Sequence, residues 1–212
     1  MTLAELIRRA PVLGSGSDGT VYKVKTKSLS GMGFNAFDVP YVALKVVKAS
    51  PKAREEARFT KVLDFIGAKC YGAVELQGML YIAMQIVTPA KKFIESATKK
   101  ELKKFAFELI SKVYMMIDAG YVHNDLHLGN VAYANNQALI VDFGFVEKIN
   151  KVTGTVRRQL IIAQLYALCD HCNDDNYVFV TDEEGDEVTF GCEFIAEHIY
   201  NLKRNEKNKN LI

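Results

Sequence analysis

Tyr121-Val122-His123-Asn124-Asp125-Leu126-His127-Leu128-Gly129-Asn130, with its echo Leu139-Ile140-Val141-Asp142-Phe143-Gly144-Phe145, decides how the rest of the chain is read. Two apolar runs each bring an acidic residue to the end of a strand-like segment, and the first places an amide five residues after its carboxylate. That spacing suits a site for a metal-bound phosphate chain. Asp125 could accept a proton from an attacking hydroxyl, while Asn130 and Asp142 could hold Mg²⁺, a hard cation that takes oxygen ligands and keeps several waters. Positioning and charge neutralisation supply most of the catalysis in phosphoryl transfer, so the chemistry asks little more of a protein.

Working upstream, Val12 to Val24 carries glycines in the pattern G-x-G-x-x-G at Gly14, Gly16 and Gly19. Dinucleotide-binding folds and kinases both use it. Here Thr20-Val21-Tyr22-Lys23-Val24 alternates with period two and reads as a strand, whereas a dinucleotide fingerprint must open a helix. A glycine turn between strands can lay its N–H groups over phosphates, because residues without Cβ permit close approach. A plain hairpin turn is the competing reading. Before it, Leu3 to Ala10 is a short helical or irregular lead-in; after it, Lys25 to Pro40 is a polar, glycine-bearing strand-to-strand loop.

Tyr41-Val42-Ala43-Leu44-Lys45-Val46-Val47 is an apolar strand in which Lys45 is the lone charge. Such a lysine points to solvent from an edge or has a fixed anionic partner. Ser50 as N-cap and Pro51 in the first turn start a helix over Lys52 to Ile66, with Phe59, Val62, Leu63 and Ile66 facing inward and Gly67 ending it. Glu56 is the first choice to face Lys45, and Glu55 is the alternative. Two strands follow around Gln77-Gly78, Gly72 to Leu76 and Met79 to Val87, the second central in the sheet. Thr88-Pro89 then marks a hinge.

Downstream, the period switches to 3.6. Thr98 and Glu101 form a capping box for a helix whose stripe is Leu102, Phe105, Ala106, Leu109, Ile110, Val113 and Ile117, up to Gly120. Lys99, Lys100, Lys103 and Lys104, with Lys91 and Lys92 before them, make a solvated basic face or a patch for an acidic partner. Val156 to Cys172 is helical with Leu160, Ile161, Leu165 and Leu168 inward. Asp182 to Glu187 is an acidic surface loop without EF-hand spacing. Phe194, Ile195, His198, Ile199 and Leu202 mark a last helix before a polar tail.

The 212 residues suffice for one substantial core or two small lobes, and the 49% hydrophobic content is ordinary for a globular protein. A net charge of +2 argues against a dedicated nucleic-acid binder. No run has the length of a membrane-spanning helix, and Met1 to Ala10 contains no long apolar core of a signal peptide, so a cytoplasmic setting is the default expectation. Of the four cysteines, Cys169 and Cys172 form one C-x-x-C pair, but no second pair stands at zinc spacing, which favours buried thiols over a metal site.

The motifs together resemble the protein-kinase family, whose signature set occurs in the same order. Gly14-x-Gly16-x-x-Gly19-x-Val21 resembles the glycine-rich loop, Val42-Ala43-Leu44-Lys45 the strand with the phosphate-binding lysine, and Glu56 its helix partner. His123 to Asn130 resembles the catalytic loop and Asp142-Phe143-Gly144 the metal-binding triplet. The resemblance implies that Lys45 contacts the α- and β-phosphates of ATP and pairs with Glu56. It makes Asp125 the base, Asn130 and Asp142 the Mg²⁺ ligands and His123 structural. The backbone of Gln85 to Val87 would hold the adenine, within a pocket formed with Ala43 and backed by Met84.

The departures are equally specific. Asn124 stands where the family has an arginine that reads a phosphorylated activation loop, and His127 stands where serine/threonine kinases have a lysine. The Asp-x-His-x-x-Asn arrangement also resembles small-molecule and lipopolysaccharide kinases and compact atypical protein kinases. No Ala-Pro-Glu element follows Gly144, and only 68 residues remain after it. Such a minimal form resembles kinases of large viruses, phages or bacterial pathogens, which would act in a host cytoplasm.

The expected fold is α+β, a single two-lobed kinase-like domain over 1–212. Its small antiparallel N-lobe would span 1–88 and its reduced, mainly helical C-lobe 89–212, with nucleotide in the cleft between them. The expected function is ATP- and Mg²⁺-dependent transfer to a serine or threonine hydroxyl of a protein substrate, with an activating partner possible. The alternatives are a small-molecule kinase acting on a sugar or lipid-linked sugar, and a catalytically weak kinase-like binding module.

Overall fold

The computed structural model describes residues 2–16, 19–34, 36–150, 154–170, 179–181, 187–189 and 195–201. The fold is α+β and divides into two compact units, Met1–Val87 with Asp142–Gly144, and Thr88–Val141 with Phe145–Ile212.

The first unit is built on an antiparallel sheet of β1 (Val12–Gly16), β2 (Gly19–Lys25), β3 (Tyr41–Lys48), β4 (Cys70–Leu76) and β5 (Met79–Met84), in the order β1-β2-β3-β5-β4. β5 is therefore interior, as its unbroken apolar run requires. It ends at Met84, so Gln85 to Val87 lie beyond the strand rather than in it. Gln77 (φ 52°) and Gly78 (φ 73°) form the left-handed pair that closes the β4–β5 hairpin.

The two faces of the sheet have different covers. Val42, Leu44, Tyr81 and Ala83 pack with α1 (Leu3–Arg9) through Leu3 and with Leu29. The stretch from Lys25 to Pro40 is thus more than a polar loop. It holds a 3-10 turn, Thr26–Leu29, and lays Leu29, Met32, Phe34, Phe37 and Val39 on the sheet. The other face carries α2 (Pro51–Val62), through Ala53 and Ala57 against Leu80 and Ile82. Ser50 caps α2, accepting the Ala53 N–H at 3.1 Å.

α2 stops four residues before the expected end, and Leu63 caps it by donating its N–H to Phe59 O (2.8 Å). Its buried positions are Ala53, Glu56, Ala57, Phe59, Thr60 and then Leu63. Val62 lies about 100° from Leu63 around the axis, and it is exposed (42%) rather than inward.

In the second unit, α4 (Lys99–Asp118) is the central helix, and every member of the expected stripe is buried, with Met116 added. Its capping box is formed: Thr98 Oγ1 accepts the Glu101 N–H (3.3 Å), and Glu101 Oε2 accepts the Thr98 N–H (2.8 Å). Before it, β6 (Thr88–Pro89) leads into α3 (Ala90–Ile94), a helix that the sequence pattern did not announce. β6 pairs with β8 (Val131–Ala134), and β8 with β9 (Gln137–Ile140). β7 (Tyr121–Val122) pairs with β10 (Glu147–Lys148).

α5 (Gly154–Asp170) buries Ile161, Leu165 and Leu168 while Leu160 is half-buried, and Arg157 grips Asp118 of α4 at 2.5 and 2.7 Å. β11 (Phe179–Thr181) pairs with β12 (Glu187–Thr189). Residues 196–201 are helical, and His198 Nε2 meets Tyr114 OH at 3.2 Å. The acidic stretch 182–186, Cys172, Cys192, Phe194, Leu202 and the tail lie outside the described residues. No helix among the described residues is long and apolar enough to cross a membrane.

Candidate functional site

The period-two alternation of β3 sorts its side chains. Val42 and Leu44 go to the α1 face, so Ala43 and Lys45 go to the α2 face, opposite Met84 and Ile82 of β5. Lys45 is only 8% exposed, and its Nζ donates to Glu56 Oε1 in a buried ion pair. Glu56 reaches it because it stands on the buried stripe of α2 with Ala53 and Ala57. Glu55, one position round, turns to solvent and pairs with Arg58 at 2.7 Å. A lysine buried among hydrophobes is tolerable only with such a partner.

Asp142 Oδ1 lies 3.9 Å from the same Nζ. Asp142 has φ 60°, a left-handed conformation that aspartate and asparagine adopt more readily than other side chains. Gly144 follows close to α2, where an added Cβ would stand 3.9 Å from Glu56 Oε2. Lys45, Glu56 and Asp142 thus form one charged group within the first unit.

On β2, Val21 sits opposite Lys45. At Gly19 (φ 127°) a Cβ would come within 2.5 Å of Val46 O, so backbone shape and packing both demand glycine. Gly14 and Gly16 differ: a Cβ on either would meet nothing within 4 Å. Neither backbone conformation nor packing against the described residues demands glycine at these two positions. Positions 17 and 18 of the loop lie outside the described residues. Beyond β5, the Gln85 N–H is already taken by Lys69 O at 2.9 Å.

In the second unit, a short 3-10 turn, Leu128–Asn130, joins Asp125 to β8. Asn130 is buried, and its Nδ2 donates to Asp125 O (2.8 Å) and stands 3.2 Å from Asp125 Oδ2. With the amide nitrogen turned to Asp125, Asn130 Oδ1 is the atom left to face a cation, and an amide oxygen suits Mg²⁺. Asn130 O accepts the Val141 N–H at 2.9 Å, which ties the residue before Asp142 to this turn. His123 is fully buried, its N–H on Gln164 Oε1 (3.0 Å) and its Nε2 at Val141 O (3.1 Å), a structural placement. Asn124 has φ 59° and donates to Phe145 O at 3.3 Å. The side chain that replaces arginine therefore serves the backbone.

One contributor was missed in the sequence, and a second, His127, was named there only as the residue in the place of a lysine. Gln164 lies 41 residues from His123, and no local pattern links them. His127 caps the 3-10 turn, its Nδ1 accepting the Gly129 N–H at 3.1 Å, and its Nε2 lies 3.8 Å from Asp125 Oδ2. Only its proximity in sequence to Asp125 hinted at this.

Residues 80–172 match the ABC1 atypical kinase-like domain. That span contains Asp125, His127, Asn130 and Asp142, while Lys45 and Glu56 precede it. The chain is also similar to a Saccharomyces cerevisiae protein named fatty acyl-CoA synthetase and RNA processing-associated kinase 1, at 28% identity over 153 residues. The alignment covers 64% of this chain and 18% of the yeast protein, so the chain spans under a fifth of that relative's length. With the ordered motifs and the geometry above, these two likenesses support a place for the chain in the protein-kinase-like superfamily.

Proposed function

We propose that the protein is an ATP- and Mg²⁺-dependent phosphotransferase acting on a serine or threonine hydroxyl of a protein in the cytoplasm. The observation that carries this reading is the buried Lys45–Glu56 pair with Asp142 3.9 Å from the lysine. A fold gains little stability from burying such a pair over packing hydrophobes in its place, so a ligand with negative charge is the better reason for it. Lys45 holds the α- and β-phosphates, and the backbone at Gly14, Gly16 and Gly19 approaches the phosphate chain. Groups of Gln85 to Val87 other than the occupied Gln85 N–H hold the adenine. Asn130 and Asp142 supply oxygen ligands, and bound Mg²⁺ supplies neutralisation of phosphate charge. Asp125 orients the acceptor hydroxyl and takes its proton.

A small-molecule hydroxyl is the second reading. It is favoured by His127 beside Asp125 in place of a lysine, and by the atypical character of the matching family. The test is transfer from radiolabelled ATP to a generic basic protein, comparing wild type with Asp125→Ala. Expected is label that Asp125→Ala reduces by about 10²-fold or more while ATP binding stays within about twofold. Label undiminished in the variant overturns the role of Asp125. Nucleotide consumption without labelled protein moves the acceptor to a small molecule.

A further inference from the structure

The two oxygens of the Asp125 carboxylate have different surroundings. Asn130 Nδ2 stands 3.2 Å from Oδ2, and His127 Nε2 stands 3.8 Å from the same atom. The orientation of the histidine ring is set from its other side, where Nδ1 accepts the Gly129 N–H at 3.1 Å. Only a ring nitrogen with a lone pair can accept a backbone N–H, so the ring proton belongs on Nε2, the atom turned to Asp125. The contact is then between a neutral ring N–H and a carboxylate oxygen 3.8 Å away, longer than a hydrogen bond, rather than an ion pair.

Gly129 is shaped for this ring. An added Cβ would lie 2.7 Å from His127 Cε1 and 2.8 Å from Nδ1, and these are the nearest atoms it would meet. Gly129 is absent from the positive-φ residues, so the turn itself does not require glycine. The ring does. Donor amide, ring and missing Cβ together form a clamp that keeps Nε2–H on the Oδ2 side of Asp125.

Resting on the reading of Asp125 as base, we propose that His127 is a positioning residue. Clamped by Gly129 as the Nε2–H tautomer, it joins Asn130 in orienting Oδ2 and leaves Oδ1 to receive the acceptor's proton. In that step the acceptor O–H bond breaks with its proton passing to Oδ1. The acceptor oxygen forms the new bond to the γ-phosphorus, and the bond from that phosphorus to the β–γ bridging oxygen breaks, its electron pair leaving with ADP.

Two measurements test this. The first is the long-range ¹H–¹⁵N histidine ring spectrum of ¹⁵N-labelled protein at a pH where imidazole is neutral, with His127 assigned by its loss in His127→Ala. Expected is a single Nε2–H tautomer in wild type and solvent-like tautomer averaging in Gly129→Ala. An Nδ1–H or averaged ring in wild type overturns the clamp. The second is steady-state ATP turnover with Mg²⁺. His127→Ala and Gly129→Ala should each lower kcat roughly ten- to a hundredfold with KM for ATP unchanged, and Gly129→Ala should add no loss once His127 is Ala. Additive losses, or a rise in KM alone, overturn the positioning role. Wild type without turnover but with the Nε2–H tautomer intact would instead overturn the phosphotransfer reading and the proton step, leaving the clamp in place.

Discussion

At the scale of single residues, burial and partner decide what each charge can do. Lys45 and Glu56 are both buried and in contact, and Asp142 is the second carboxylate near the lysine. Glu56→Gln removes the lysine's close partner and leaves Asp142 at 3.9 Å, so urea unfolding should show a loss of at most about 3–5 kcal/mol. Lys45→Met with Glu56→Gln should lose less than the two singles combined, because no unpaired charge of the pair remains. A strictly additive double variant would refute the coupling. Tyr71 offers a pH test. Burial, and then its hydrogen bond with Asp38, push its phenol up to about 12. The unfolded phenol ionises near about 10. The resulting stabilisation is complete below about 10 and is lost as pH rises through about 12. Tyr71→Phe should therefore show a shallower loss of stability than wild type between those two values, and parallel curves would contradict the assignment.

At the scale of elements, helical and strand periods placed side chains on faces with few errors, and the errors have physical causes. In α4, Leu109 is fully buried while Phe107, two positions away, is 55% exposed. Leu109→Ala should cost about 2–5 kcal/mol in urea unfolding, whereas Phe107→Ala should stay within about 0.5 kcal/mol. Equal losses would mean that the face is misassigned. α2 ended early because Leu63 caps it and the chain turns there, with Ile66 and Gly67 both donating to Leu63 O at 3.0 Å. Periodicity continued through residues that are apolar for reasons of packing rather than of helix. The same limit explains the stretch from Lys25 to Pro40. Its apolar side chains follow no repeat, yet they cover one face of the sheet.

At the scale of the whole molecule, the metal is the direct test of the proposed site. Asp142→Ala should lower affinity for ATP in the presence of Mg²⁺ by roughly tenfold or more and leave affinity measured in EDTA nearly unchanged. Calorimetric titration reads both, and an unaltered dependence on Mg²⁺ would remove Asp142 from the ligand set.

By itself, the sequence determined which residues are candidates for the site and in what order they come. Those signals are local: glycines in a turn, Lys45 alone in an apolar strand, Asp125 five residues before Asn130, and Asp142 at the end of β9's run. It also determined the capping of α2 and α4, because a cap is a contact between residues three apart. Only the tertiary structure chose Glu56 over Glu55, since that choice depends on which side of α2 meets β3. It likewise brought Gln164 to His123, turned the Asn124 side chain to the backbone, and set the ring of His127 over a glycine with no room for a Cβ. These contacts join residues far apart in the chain or depend on the rotation of one side chain about its bonds, and a linear pattern encodes neither.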